Sequence, residues 1–220
     1  TAAFKPRIPR IHPWEYVNSV VNNLDGTEHI YIPEYGDIPE EVSYVEYLGE
    51  PFSQKMDPIC VACCICGYLN WAMRVSGRDT KCSIEDAFEF HKKVGGGPRN
   101  GIYIKNALSY LKNNGFDISG ENVRIKEYLL VGEKDLKSAI YFNGPCITSL
   151  PIYNYRADTP FWVKTSKAFY GRHAVLIAGY GKDGYMIRNS WGSDFRDNGN
   201  ILFPYGDFKF FDNIWTLKSN

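Results

Sequence analysis

The chain has 220 residues, 25 basic and 25 acidic, so its formal net charge is zero and it offers no electrostatic footprint for nucleic acid or another polyanion. No apolar run reaches the roughly 20 residues that a membrane span needs. With 44% hydrophobic residues, the chain reads as a soluble protein of one large domain or two compact lobes.

It opens on Thr1 rather than Met, so a processed N-terminus is expected, from which a signal peptide would be missing. Residues 1–37 read as an extension. In it "PRIPRIHP" is proline-punctuated and extended, "WEYVNSVVNNL" is a short amphipathic helix candidate, and "DGTEHIYIPEYGD" reads as turn, strand and turn. "DPICVACCICGYLNWAMRV" predicts a long apolar helix, with Asp57 as cap and Pro58 in its first position. "SIEDAFEFHKKV" predicts a second helix, opened by a capping-box variant in which Asp86 follows Ser83. "GGGPRNG" is a loop. "IYIKNALSYLKNNG" is a further helix stopped by Gly115, and "EKDLKSAIYFNG" another.

After Pro145 the pattern changes. "CITSLPIY", "HAVLIAGYG", "GYMIRNSWG", "NILFPYG" and "NIWTLKS" are short apolar or alternating runs broken by glycines, hence strands. Helices first and strands second predict an α+β protein of two lobes, about 38–140 helix-rich and about 141–220 strand-rich, with a cleft between them.

Four of the six cysteines, Cys60, Cys63, Cys64 and Cys66, crowd the first helix, where they cannot readily bridge one another. At most two bridges, to Cys82 and Cys146, are open to them. Free thiols and a reducing, intracellular compartment are therefore the expectation. Cys60, Cys63 and Cys64 share one helical face that could hold a soft cation, but no second Cys-x-x-Cys or His pair exists to complete a zinc site. No metal and no cofactor are expected.

Of the four histidines, His12 and His29 lie in the extension, and His91 sits on a helix beside two lysines, where a solvated or half-buried structural role is expected. His173 opens a strand, and the next strand delivers Asn189 in "RNSWG". Neighbouring strands can bring these two side by side, the Asn oxygen accepting from the imidazole and fixing its tautomer. A cysteine from the other lobe would complete a Cys-His-Asn arrangement.

In this order of Cys, His and "NSWG" the chain resembles the papain-like cysteine peptidases, in a divergent form of prokaryotic or viral type. "IPEEVSYVEYLGEPFSQ", "IYIKNALSYLKNNGF", "HAVLIAGYGKDGYMIRNSWG" and "ILFPYGDFKFFDNIWTLK" carry the resemblance over about residues 38–218. It implies a two-lobed fold with a β-barrel-like second lobe. It implies His173 as general base, Asn189 as its orienter and Trp191 as the shield of their hydrogen bond. Gln54 would donate to the oxyanion, and Gly96 and Gly97 would pair with an extended substrate backbone. The reaction implied is endopeptidase cleavage of a peptide or protein, and no paired-histidine insertion suggests an exopeptidase.

Cys60 and Cys63 compete for the nucleophile. Gln54 lies six residues before Cys60, the spacing the family uses, and Ala62 falls two residues after it. Cys60 would also lie in the first helical turn, where free N–H groups and the helix dipole favour a thiolate. These points favour Cys60.

Several positions depart from the family pattern. Pro58-Ile59 replace Gly-Ser, the aromatic after the nucleophile is absent, Phe195 stands in place of a second Trp, and Arg172 is a cation expected to lower the pKa of His173. They keep two alternatives in view, a catalytically weak or inactive homologue used for binding or structure, and a transamidase using the same thiol. Residues 1–37 would be a retained, autoinhibitory pro-segment or a lobe-bracing arm.

Overall fold

The computed structural model describes residues 24–34 and 36–220; His12, "PRIPRIHP" and all but the last residue of the helix candidate "WEYVNSVVNNL" lie outside them. Among the described residues no helix is long and apolar enough to cross a membrane.

The cysteine segment forms helix α1 (Cys60–Val75), buried continuously from Cys60 to Met73. A helix apolar on all sides is stable only inside a protein, and α1 is the central element of this one. It begins later than the sequence suggests. Ile59, without a side-chain cap, holds the N-cap position. Asp57 does not cap it, because its main chain is committed to a turn: its N–H donates to the Gln54 carbonyl (3.0 Å) and its carbonyl accepts from Gln54 Nε2 (2.9 Å). Cys60 is therefore the first helical residue.

Helix α2 (Ile84–Lys93) opens on a complete Ser83/Asp86 capping box, α3 (Ile104–Asn113) exits through Gly115 at φ +70°, and α4 (Leu136–Asn143) follows a 3₁₀ turn at Glu133–Asp135.

The strands are β1 (Val42–Ser43), β2 (Phe116–Ile118), β3 (Glu121–Val123), β4 (Ile125–Val131), β5 (Cys146–Pro151), β6 (Arg172–Tyr180), β7 (Gly184–Arg188), β8 (Asn200–Pro204) and β9 (Ile214–Ser219). β2 and β3 form a small hairpin; the rest make one antiparallel sheet in the order β4-β9-β5-β6-β7-β8, with β1 on β6. The barrel-like lobe of the expectation is an open antiparallel sheet: β4 and β8 are the two ends of the order, and among the described residues the sheet does not close. β1 and β4 come from before residue 141, so the sheet draws on both halves of the sequence.

Alternation along β6 divides the core. Ala174, Leu176 and Ala178 face the helices α1–α3, while Val175 and Ile177 pack with α4, Phe161 and Trp162 on the other side. Helix α1 lies close against β6 because Gly67 has no side chain: a Cβ there would meet Leu176 Cδ1 at 2.8 Å.

Buried Arg188, at the end of β7, ties sheet to helical side, donating to Asn200 Oδ1 (2.8 Å) and to the Gly49 (3.0 Å) and Val45 (3.4 Å) carbonyls. Burial draws its pKa down to about 10, against the pull of Glu50.

The described part of the extension adds to the β4 edge. Leu130 N–H donates to the His29 carbonyl and Tyr31 N–H to the Leu130 carbonyl, making a parallel bridge at Ile30. Lys105 of α3 is held by Asp25 (3.2 Å) and Glu28 (2.6 Å), and Tyr31 Oη meets Ser138 Oγ. This stretch thus touches both the helical side and the sheet.

Candidate active site

Starting α1 at Cys60 leaves the first N–H groups of the helix without intrahelical acceptors. The Cys60 sulfur lies among three main-chain donors, its own N–H, that of Val61 and that of Ala174 on β6. The donors favour a thiolate, yet burial dominates and pushes the thiol up to about 11. The contact with Ala174 places Cys60 beside the strand position next to His173.

His173 is buried, and its Nε2 faces Asn189 Oδ1 at 2.5 Å. The amide oxygen only accepts, so Nε2 carries the proton and Nδ1 is the ring's basic nitrogen. Asn189 Oδ1 also accepts the Ser190 N–H (2.8 Å), which aims the amide at the ring, while its Nδ2 is buried with no partner among the described residues.

The His173 pKa is drawn down to about 4 by burial, opposed by the hydrogen bond to Asn189. The lowering expected from Arg172 thus has the right sign and the wrong cause. Arg172 pairs with Asp212 (3.6 Å), and alternation along β6 directs it away from the His173 side.

Aromatic rings enclose the pair. Trp191 stacks on His173 with centroids 4.9 Å apart and planes at 24°. Phe161 meets both rings, at 5.9 Å from His173 and 5.0 Å from Trp191, and Phe195 stands edge-on to Trp191 at 5.3 Å.

Gln54 is buried opposite the start of α1. Its N–H donates to the Ser190 carbonyl (2.9 Å), its Oε1 accepts from Ser190 Oγ, and its Nε2 donates to the Asp57 carbonyl (2.9 Å). With the amide held on both sides, one Nε2 proton remains for another acceptor.

The family described as "Papain family cysteine protease" matches residues 60–208. The chain belongs to the papain family. The oryzain gamma chain of Oryza sativa subsp. japonica is 28% identical over 184 residues, 76% of this chain and 46% of its own length. The chain therefore spans about half of that curated relative. Its fold is similar to that of xylellain, a cysteine protease from Xylella fastidiosa (TM-score 0.78, 18% identity, 94% of this chain and 97% of that one). It is also similar to the ragweed pollen allergen Amb a 11 cysteine protease, solved in its proform (TM-score 0.71, 18% identity, 94% of this chain and 78% of that one).

The other cysteines of this papain-family chain serve the interior. All six are free and buried. Cys63 lies a turn deeper in α1 against the Ser190 hydroxyl, and burial pushes it and Cys64 well above the ordinary thiol range. Among the described residues no group of three or more His, Cys, Asp and Glu side chains is placed to hold a metal ion.

Gly96 and Gly97 follow α2, and among the described residues none of their hydrogen bonds reaches Cys60, His173 or Asn189. The Gly96 N–H is bound to the His91 carbonyl (2.8 Å), and the Gly97 N–H faces the Asn100 carbonyl (3.3 Å). His91, expected to be solvated or half-buried, is only 3% exposed.

Ser190 and Phe161 are the positions that sequence reasoning missed. Ser190 lay inside the quoted "NSWG" and touches Gln54, Asn189 and Cys63. Phe161 comes from a loop between β5 and β6 with no motif around it.

Proposed function

We propose that the chain is a thiol-dependent endopeptidase that hydrolyses peptide or protein substrates through a Cys60 acyl-enzyme. The observation that carries the reading is the Cys60 sulfur among helix-start N–H groups and the N–H of Ala174, the strand neighbour of His173, whose Nε2–H is committed to Asn189.

In this reading His173 Nδ1 takes the Cys60 proton as sulfur attacks the scissile carbonyl. The remaining Gln54 Nε2 proton and the Cys60 N–H bind the oxyanion. The imidazolium gives its proton to the leaving amine, then the neutral ring takes a proton from water as that water attacks the thioester. Asn189 fixes the tautomer, and Trp191 and Phe161 keep water off its hydrogen bond. Gly96 and Gly97 belong to the loop that meets an extended substrate.

The described residues 25–31 support an arm role for the extension, because they bind both Lys105 and β4. A pro-segment role draws support from the proform state of the ragweed structure.

A second reading, a catalytically weak homologue, is favoured by the burial that keeps both Cys60 and His173 neutral at rest. A thiol-directed epoxide separates the two. The peptidase reading predicts one covalent adduct, on Cys60, together with peptide cleavage; no adduct under reducing conditions counts against it. Product masses in the presence of an added amine distinguish hydrolysis from transamidation.

Asn189→Ala is expected to lower kcat about thirtyfold with little change in KM, because the His173 tautomer loses its anchor. Steady-state kinetics on one peptide checks this, and a pure KM effect would place Asn189 outside the proton-transfer path.

A further inference from the structure

The end of α2 carries a side chain that the mechanism above does not use. The helix closes with the hydrogen bonds of a Schellman motif: the Gly95 N–H donates to the Lys92 carbonyl (2.9 Å) and the Gly96 N–H to the His91 carbonyl (2.8 Å). Gly95 sits at φ +103°, the left-handed position this ending requires. The turn folds the glycine loop back over the His91 ring. His91 Nε2 then lies 2.8 Å from the Gly97 carbonyl.

The fit between ring and loop is close. A Cβ on Gly96 would stand 2.3 Å from both Cε1 and Nε2 of His91, so only glycine lets the loop rest on the ring. The Gly97 carbonyl only accepts, so the ring carries its proton on Nε2. His91 Nδ1 is then a bare acceptor, buried and without a partner among the described residues. An apolar side chain of similar shape would pack there with no such orphan. What the histidine adds over a phenylalanine is the one donor to Gly97.

We infer that His91 is a positioning residue for substrate binding: its Nε2–H clasps the Gly97 carbonyl and holds the Gly95–Gly97 loop in the conformation that pairs with an extended peptide. The inference rests on the endopeptidase reading and on the glycine loop's place in it. The Gly96 carbonyl accepts no main-chain hydrogen bond among the described residues and is an acceptor open to a substrate N–H. Through the clasp His91 governs the affinity for extended substrate and leaves the bond-breaking step alone.

His91→Phe keeps a flat ring beneath Gly96 and deletes the donor, and His91→Gln returns a donor. For His91→Phe the expected results are an approximately tenfold higher KM for an extended peptide, kcat within about twofold, and faster amide exchange in residues 95–100. Alkylation of Cys60 by iodoacetamide, which needs no substrate strand, should keep its wild-type rate. His91→Gln should recover most of the KM. An unchanged KM with faster exchange would overturn the inference while leaving the peptidase reading standing. KM, kcat and alkylation worsening together, or equal defects in both variants, would reduce His91 to a packing residue. A wild-type protein that is alkylated at Cys60 yet cleaves no peptide would remove the endopeptidase reading and this inference with it.

Discussion

Replacing Cys60 by alanine is expected to lower kcat/KM for a peptide by roughly a thousandfold or more, as loss of a covalent nucleophile does. Cys63→Ala should stay within about fivefold of wild type. Both thiols are on one face of α1 and both are buried, so composition and burial do not separate them. Their surroundings do. The Cys60 sulfur is met by the Ala174 N–H from the strand that carries His173, and by the free N–H groups of the first turn. Cys63 has spent its own N–H on the Ile59 carbonyl (2.9 Å), its sulfur lies against the Ser190 hydroxyl, and burial, Cys60 and the Asp57 charge all oppose a thiolate there. Limiting iodoacetamide followed by peptide mapping gives an independent check. First modification at Cys63, or a Cys63→Ala variant as inactive as Cys60→Ala, would transfer the nucleophile to Cys63.

The second large effect is on stability. Burial draws the pKa of His173 from its ordinary 6.5 to about 4 in the folded protein. Between those values the unfolded chain binds a proton that the folded chain does not. Acidification therefore favours unfolding, and stability falls as pH drops from about 7 towards 4. The full shift corresponds to roughly 3 kcal/mol. Carboxylates titrate in the same window, so the informative quantity is the difference between wild type and His173→Gln, which share them. Urea unfolding at pH 7.5 and at pH 4.5 should show wild type losing about 2–3 kcal/mol more than the variant. Equal losses would mean that His173 is protonated in the fold as easily as in the open chain.

The candidate site residues stand out in the sequence because each sits in a distinctive local pattern. His173 lies at the start of an apolar strand, Asn189 directly follows the next one, and the two side chains meet at 2.5 Å. The capping box at Ser83 and the exit at Gly115 were equally local, and both formed.

Misreadings arose where tertiary contacts override local preference. Asp57 and Pro58 look like a helix start, but the Asp57 main chain is held by Gln54, a contact that depends on where the Gln54 loop docks against Ser190. β4 carries a weak strand signal because Glu127 interrupts the buried series Ile125, Leu129 and Val131 and the ladder is irregular between Ile125 and Glu127. Its identity as a strand comes from pairing with β9, at the far end of the chain.

The sequence by itself determined the family, the α+β segregation and a short set of candidate residues, because hydrophobic period, turn residues and the "NSWG" element are written over a few neighbouring positions. Only the tertiary structure decided which thiol meets the Ala174 N–H of the His173 strand, that burial and not Arg172 lowers the histidine, that Phe161 and Ser190 touch the candidate residues, and that His91 meets the Gly97 carbonyl. Each depends on groups brought together from distant parts of the chain or on the water excluded around them, and neither distance nor dielectric is carried by local sequence.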